Sequence, residues 1–117
     1  MPARSFRDLI VWQRAIELTL SVYATTAAFP KEELFGLTSQ LRRAAVSIPS
    51  NIAEGESRIT RGEFKQFLGI ARGSTAEVQT QLVLARRLQL APPELIERSE
   101  SLIAEVHKML NALIAKQ

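Results

Sequence analysis

The sequence predicts an all-α protein, an antiparallel up-down-up-down bundle of four helices. Four segments repeat apolar residues at steps of three and four, the spacing of one face of a helix. Turn-forming residues are sparse, with five Gly and five Pro among 117 residues, too few for a sandwich of many short strands. The stretches between the segments are short, and short connections make successive helices antiparallel.

Composition and length predict one globular domain over residues 1–117, with 46% hydrophobic and 23% charged residues. The chain has no cysteine and one histidine, so we predict no catalytic residues, no metal ligands, no cofactor and no small-molecule substrate. No apolar run reaches the roughly 20 residues of a membrane span. We therefore expect no membrane association and a cytoplasmic location.

The first helix is predicted over approximately 8–28, and its apolar arc is unusually wide. One apolar row runs from Leu9 to Tyr23, and a second row beside it contains Val11, Leu18 and Val22. Such an arc exceeds what one partner layer needs. Two interpretations stay open: the helix is central and well buried, or the second row forms an oligomer interface.

The second helix is predicted over approximately 36–55, with an apolar face that runs from Leu37 to Ile52. Pro49 lies inside this pattern. Because an interior proline removes a backbone hydrogen bond and bends the helix axis, we predict a kink near Pro49.

The third helix is predicted over approximately 60–90, beginning with a capping box formed by Thr60 and Glu63. The side opposite its apolar face carries small residues: Gly69, Gly73, Ala76 and Thr80. A glycine inside a helix costs about 1 kcal/mol relative to alanine, which suggests that another backbone approaches closely there. These residues are predicted to form a homo-oligomer interface; the alternative is a solvent-exposed face that tolerates glycine.

The fourth helix is predicted over approximately 93–116, because Pro92-Pro93 suits a first turn. Its apolar residues from Leu95 to Leu113 follow a 4-3-4-3-4 spacing, which is typical of near-parallel helix packing. His107 lies at the edge of this stripe, and we interpret it as a boundary residue rather than a base or metal ligand.

The positive charge of the chain is concentrated on the third helix. The formal net charge is +3, and residues 60–90 hold five basic and two acidic residues. Successive helical turns place four cations within about 60° of one another: Arg61, Lys65, Arg72 and Arg86. On the second helix, Arg42 and Arg43 either extend this row or pair with Glu54 and Glu33.

A row of cations along a helix can neutralise successive phosphates. The leading function is therefore non-catalytic binding of nucleic acid, in particular structured RNA such as ribosomal RNA; the alternative is a solvent-exposed charged face. Because few aromatic residues are expected at the surface, we predict contacts with the nucleic-acid backbone and shape rather than with bases.

Two stretches of the sequence carry a family resemblance. Residues 6–13 (FRDLIVWQ) and 29–55 (FPKEELFGLTSQLRRAAVSIPSNIAEG) resemble bacterial four-helix bundle proteins of the 23S rRNA intervening-sequence (S23) family, and the likeness extends to about Leu90. The resemblance implies a four-helix bundle that assembles into homopentamers, with no catalytic residues to carry over. Some members are encoded inside intervening sequences of 23S rRNA genes, and the molecular role of the family is not established.

A related bundle is an accessory protein that works with a reverse transcriptase and nucleic acid. The resemblance therefore implies an alternative function, a homo-oligomeric interaction scaffold or accessory subunit for a protein partner such as a polymerase or reverse transcriptase. The polar residues of the family signature correspond here to Gln40, Arg43, Ser47, Asn51, Glu54 and Arg58. They either satisfy one another around Pro49 and the following turn, which we favour, or contact a ligand or RNA.

Overall fold

Four long helices form most of the chain that the structure describes. The computed structural model describes residues 5–117. Its α-helices are α1 (Ile10–Ala27), α2 (Ser39–Glu56), α3 (Arg61–Arg87) and α4 (Pro93–Ala115), and no strand occurs within this range. The all-α prediction is confirmed. Each helix end lies within about three residues of its predicted position, a difference that is ordinary for helix termini.

Contacts between the helices show how they are arranged. α1 and α3 each pack against both α2 and α4. Side-chain hydrogen bonds join Arg42 of α2 to Thr26 of α1, and Thr75 of α3 to His107 of α4. Other contacts between the same helices join Thr19 to Ala45, Arg72 to Asn111 and Arg86 to Glu97. In each helix pair the residue number rises along one helix as it falls along the other, so the paired helices are antiparallel. The resulting bundle measures 47 × 21 × 21 Å.

The wide apolar arc of α1 is used inside the chain itself. Val11, Leu18 and Val22 are only 4%, 0% and 0% exposed, and all three belong to the hydrophobic core. The prediction that they form an oligomer interface is therefore wrong. Because α1 contacts two neighbouring helices at once, it needs an apolar arc wider than one partner layer would require.

The connection before α2 explains why this helix begins later than predicted. A π-helical turn, Leu34–Thr38, leads directly into α2, and the backbone leaves helical geometry at Gly36 (φ −108°, ψ −113°). Pro49 lies within α2, which continues without interruption from Ser39 to Glu56. A bend of the axis near Pro49 stays a prediction.

The start of α3 contains half of the predicted capping box. The Thr60 hydroxyl oxygen accepts a hydrogen bond from the backbone N–H of Glu63 at 3.1 Å, as predicted. The Glu63 carboxylate accepts from the Thr60 hydroxyl at 3.0 Å. In a complete capping box this carboxylate would instead accept from the backbone N–H of Thr60.

Three hydroxyl groups are buried between α1 and α4. The sequence pattern assigns Ser21 and Thr25 to the polar side of the first helix, but both are buried in the structure. The buried Ser99 of α4 explains this difference: its hydroxyl oxygen lies 2.8 Å from that of Ser21 and 3.1 Å from that of Thr25. Hydroxyl groups that bond to one another can be buried at small cost.

Candidate nucleic-acid interface

Three of the four predicted cations on α3 are exposed and have no acidic partner in the described chain. Arg61, Lys65 and Arg72 are exposed, and none forms an ion pair with any residue between 5 and 117. Arg72 donates a hydrogen bond from Nη1 to Oδ1 of Asn111 on α4 at 3.1 Å, which positions the guanidinium without neutralising its charge. At a rise of 1.5 Å per residue the three cations extend over roughly 16 Å of the helix.

Arg86 does not belong to this surface, and its predicted role in phosphate contact is corrected. Its guanidinium hydrogen-bonds to the Glu100 carboxylate and lies 4.0 Å from that of Glu97, both on α4. The hydrogen bond to the Glu100 carboxylate raises the pKa of Arg86. The two carboxylates neutralise the cation. The helical pattern of α3 contains no sign of this pairing, because both acids come from another helix.

A lysine on α4 extends the surface. Lys108 is exposed and lies one helical turn from Asn111, which binds Arg72. The nearest acidic residue along that face, Glu105, pairs instead with Arg14 of α1 at 3.0 Å. The sequence of a single helix does not assign Lys108 to this surface, because its proximity to α3 results from the packing of α4 against α3. We call Arg61, Lys65, Arg72 and Lys108 the basic face.

The two arginines of α2 differ in their surroundings. Arg42 donates from Nε to the Thr26 hydroxyl at 2.8 Å, and its guanidinium lies 4.5 Å above the ring centre of Tyr23. Arg43 is exposed and forms no ion pair within the described chain. The alternative prediction, that these arginines pair with acidic residues, is wrong. Of the two acids in question, Glu54 binds Arg58 and Glu33 accepts from the backbone N–H of Leu37.

The polar residues of the family signature divide into two groups. In the first, Asn51 donates to the backbone oxygen of Ser47 at 2.7 Å, and Arg58 binds Glu54 at 3.0 Å. The Ser47 hydroxyl also bonds to that of Ser74 on α3. Glu54 and Arg58 therefore satisfy each other, as the structural interpretation predicts, whereas Ser47 and Asn51 bond to backbone oxygens and to a residue outside the signature.

The second group, Gln40 and Arg43, forms no side-chain hydrogen bond to another described residue. Both residues line an open groove between α2 and α3 of about 400 Å³, together with Ala44, Ser47, Glu77 and Gln81. For these two side chains, the structure leaves open the ligand interpretation.

The small residues of α3 face open space. A Cβ atom added at Gly69 or Gly73 would meet no other atom of the described chain within 4 Å, apart from the backbone of its own turns. Ala76 and Thr80 are exposed on the same side of α3. Ile70, Val83 and Leu84, on the exposed part of the same helix, add apolar surface. No backbone of this chain therefore explains the two glycines, and their role in an interface stays a prediction.

Metal-ligating side chains are not brought together in the part of the chain that the structure describes. No group of three or more His, Asp or Glu residues between 5 and 117 is placed to hold a metal ion. His107 lies with Nδ1 2.8 Å from the Thr75 hydroxyl, which also donates to the backbone oxygen of Arg72. None of the described helices is long and apolar enough to cross a membrane.

These observations define a small four-helix bundle protein with a basic face along one side. The chain matches the family model described as 23S rRNA-intervening sequence protein over residues 7–112. It therefore belongs to that family, as the sequence resemblance implied. A comparison with curated proteins finds no significant match.

A solved structure confirms the fold. The chain is similar to a protein of unknown function from the S23 ribosomal protein family of Bacteroides thetaiotaomicron VPI-5482, with 25% sequence identity and a TM-score of 0.80. The alignment covers 90% of this chain and 98% of the other.

Proposed function

We propose that this protein is a non-catalytic RNA-binding protein whose basic face contacts the phosphates of a structured RNA. The observation that carries the proposal is the exposure of Arg61, Lys65 and Arg72 along one side of α3, without acidic partners in the described chain. Ribosomal RNA is the first RNA to test, because the matching family model is described as 23S rRNA-intervening sequence protein.

The distribution of acidic residues supports this proposal. Each ion pair in the described residues involves Arg14, Arg58 or Arg86, and these pairs take up five carboxylates. Exposed pairs of this kind contribute little to stability. Their effect on the surface is nevertheless clear, since they neutralise those arginines and leave the basic face as a separate region of positive charge.

The proposal is tested by the salt dependence of RNA binding. Replacing Arg61, Lys65 and Arg72 together by glutamine removes three phosphate contacts, so the slope of log K against log salt should become about 2 to 3 units shallower. The measurement is fluorescence anisotropy with a labelled, structured fragment of 23S rRNA over a salt series.

A matched control removes three positive charges elsewhere, by replacing with glutamine three exposed cations that form no ion pair within the described chain: Lys31, Arg98 and Lys116. This control should leave most of the salt slope in place. If it weakens binding as much as the first variant does, only net charge matters and the basic face is not the site. Absence of binding by the unaltered protein at low salt would reject the proposal, and a protein scaffold would then be the function to test.

We also propose that the chain assembles with copies of itself through the small-residue side of α3, with a pentamer favoured by the family resemblance. The open space at Gly69 and Gly73 and the apolar side chains of Ile70, Val83 and Leu84 support this interface. A closed ring also needs a second, different surface on each copy. Leu20, Tyr23 and Val46, exposed on α1 and α2, supply apolar surface of that kind.

A further inference from the structure

The single histidine of the chain lies at the contact between α3 and α4, beside the basic face. His107 is half-buried on α4, and its Nδ1 lies 2.8 Å from the Thr75 hydroxyl oxygen on α3. Lys108 is the next residue of the chain, and Asn111, one helical turn further along α4, binds Arg72. The imidazole is therefore close to two of the four cations of the basic face.

The hydrogen bonds of Thr75 determine which nitrogen of the neutral imidazole carries the hydrogen. The Thr75 hydroxyl donates its one hydrogen to the backbone oxygen of Arg72 at 2.6 Å. It can then only accept from His107, so Nδ1 of the imidazole must be the donor. Because a neutral imidazole has one N–H, Nε2 keeps a free lone pair. Nε2 is therefore the atom that gains a proton when the side chain becomes charged.

Nε2 of His107 is accessible from outside the bundle, while Nδ1 faces Thr75. Among residues 5–117, Oε1 of Gln81 is the one buried side-chain nitrogen or oxygen atom that lacks a hydrogen-bond partner. Nε2 of His107, which also forms no hydrogen bond to a described residue, is therefore not buried. A phosphate oxygen can approach this atom from the solvent side.

The part of α3 that packs against His107 presents a cation and no carboxylate. Arg72 belongs to the same hydrogen-bond network, through its backbone oxygen and through Asn111. Glu77, the acidic residue of α3 nearest to Thr75 in sequence, lines the groove towards α2 instead.

The acidic residues of α4 near His107 are occupied by arginines. Glu100, two helical turns before His107, binds Arg86 of α3. On the side of α4 that packs against α1, Glu105 pairs with Arg14 at 3.0 Å. A phosphate bound at the basic face is therefore the anionic partner that remains for a charged imidazole.

We propose that His107 is a fifth, proton-dependent cation of the basic face, which takes a proton from solvent at Nε2 when a phosphate of the RNA binds beside it. Histidine is the side chain whose charge ordinarily changes between pH 5 and 8. An anion close to an ionisable group favours the charged form of a base. RNA binding therefore takes up protons, and the affinity rises as the pH falls from 8 to 6. This inference rests on the proposed function and adds its regulation by pH.

The first test measures RNA affinity and its salt dependence at pH 6 and at pH 8, with the same labelled fragment of 23S rRNA. We expect the unaltered protein to bind at least about threefold more tightly at pH 6, the effect of one additional exposed charge pair. One more phosphate contact should also make the slope of log K against log salt about 0.7–0.9 units steeper at pH 6.

Variants of His107 separate its charge from its hydrogen bond. His107→Asn keeps an N–H donor for the Thr75 hydroxyl and has no Nε2, so it should abolish the difference between pH 6 and pH 8. His107→Lys is charged at both pH values and should bind tightly at both. Lys108→Gln, the loss of a neighbouring cation, should weaken binding at both pH values and keep the pH dependence.

NMR follows the imidazole without any substitution. The ring C–H signals of the single histidine should titrate at higher pH in the RNA complex than in the free protein, because the phosphate favours the charged form. An unchanged titration, equal affinity at pH 6 and pH 8, or the same pH dependence in His107→Asn overturns the inference. Salt-dependent RNA binding in those cases retains the proposed function, whereas absence of binding at both pH values rejects both proposals.

Discussion

A single buried serine on α4, Ser99, provides the hydrogen-bonding partner that allows two hydroxyl groups of α1 to be buried. Ser99 occupies a position in the apolar stripe of α4, and it is completely buried. Its hydroxyl gives Ser21 and Thr25 a partner, which allows the polar edge of α1 to enter the core. Thr25 also donates to the backbone oxygen of Ser21 at 2.8 Å, as hydroxyls in helices often do.

Replacement of Ser99 tests this network. Ser99→Ala leaves the Ser21 hydroxyl without its side-chain partner, so the free energy of unfolding should fall by about 1–3 kcal/mol. The triple variant Ser21→Ala, Thr25→Val, Ser99→Ala removes all three hydroxyls, and its loss should be smaller than the sum of the three single losses. Urea denaturation measures each value. Additive losses would show that the three groups act separately.

The glycines of α2 and α3 have different roles at the scale of the element. Gly55, in the last turn of α2, is buried, and an added Cβ would lie 2.7 Å from Cβ of Phe67. Close packing of α2 on α3 therefore requires a glycine there. Gly73, in the middle of α3, has no such neighbour within the described chain.

Alanine substitutions distinguish the two roles. In monomeric protein, Gly73→Ala should raise the free energy of unfolding by about 0.5–1 kcal/mol, because alanine restricts the unfolded chain and favours helix. Gly55→Ala should lower it, because the new methyl group collides with Phe67. Urea denaturation of both variants at one protein concentration provides the comparison. Changes of the same sign would contradict the assignment.

At the scale of the whole molecule, two groups of exposed small or apolar residues among those described are candidates for contact between copies of the chain. The small residues of α3, with Ile70, Val83 and Leu84 on its exposed part, form one, and the apolar residues on α1 and α2 form the other. If copies join through α3, Gly73→Leu should dissociate the assembly while the bundle stays folded. Native mass spectrometry reports the number of copies, and circular dichroism reports the helix content.

Ser101→Leu is the control for this experiment. Ser101 is exposed on α4, so the control adds the same side chain to another part of the surface. Assembly of Gly73→Leu with the unaltered number of copies would exclude α3 as the interface. Dissociation of both variants would mean that an added leucine disturbs assembly wherever it is placed.

The sequence by itself determined the helices, their order and the family. Apolar spacing and the few turn residues are local signals, and they place every helix end within about three residues. The sequence also determined that Arg61, Lys65 and Arg72 lie on one side of α3, because that follows from helical geometry alone.

Only the tertiary structure decided which of these charged side chains lack an acidic partner and which apolar side chains are buried. Arg86 is neutralised by acids of α4, whereas Arg72 gains a neutral partner there and a neighbouring lysine. Val11, Leu18 and Val22 became core residues because α1 packs against two helices at once. The groove between α2 and α3 is likewise lined by residues of two helices. Pairing and burial depend on contacts between residues far apart in sequence, and the periodicity of one helix does not contain them.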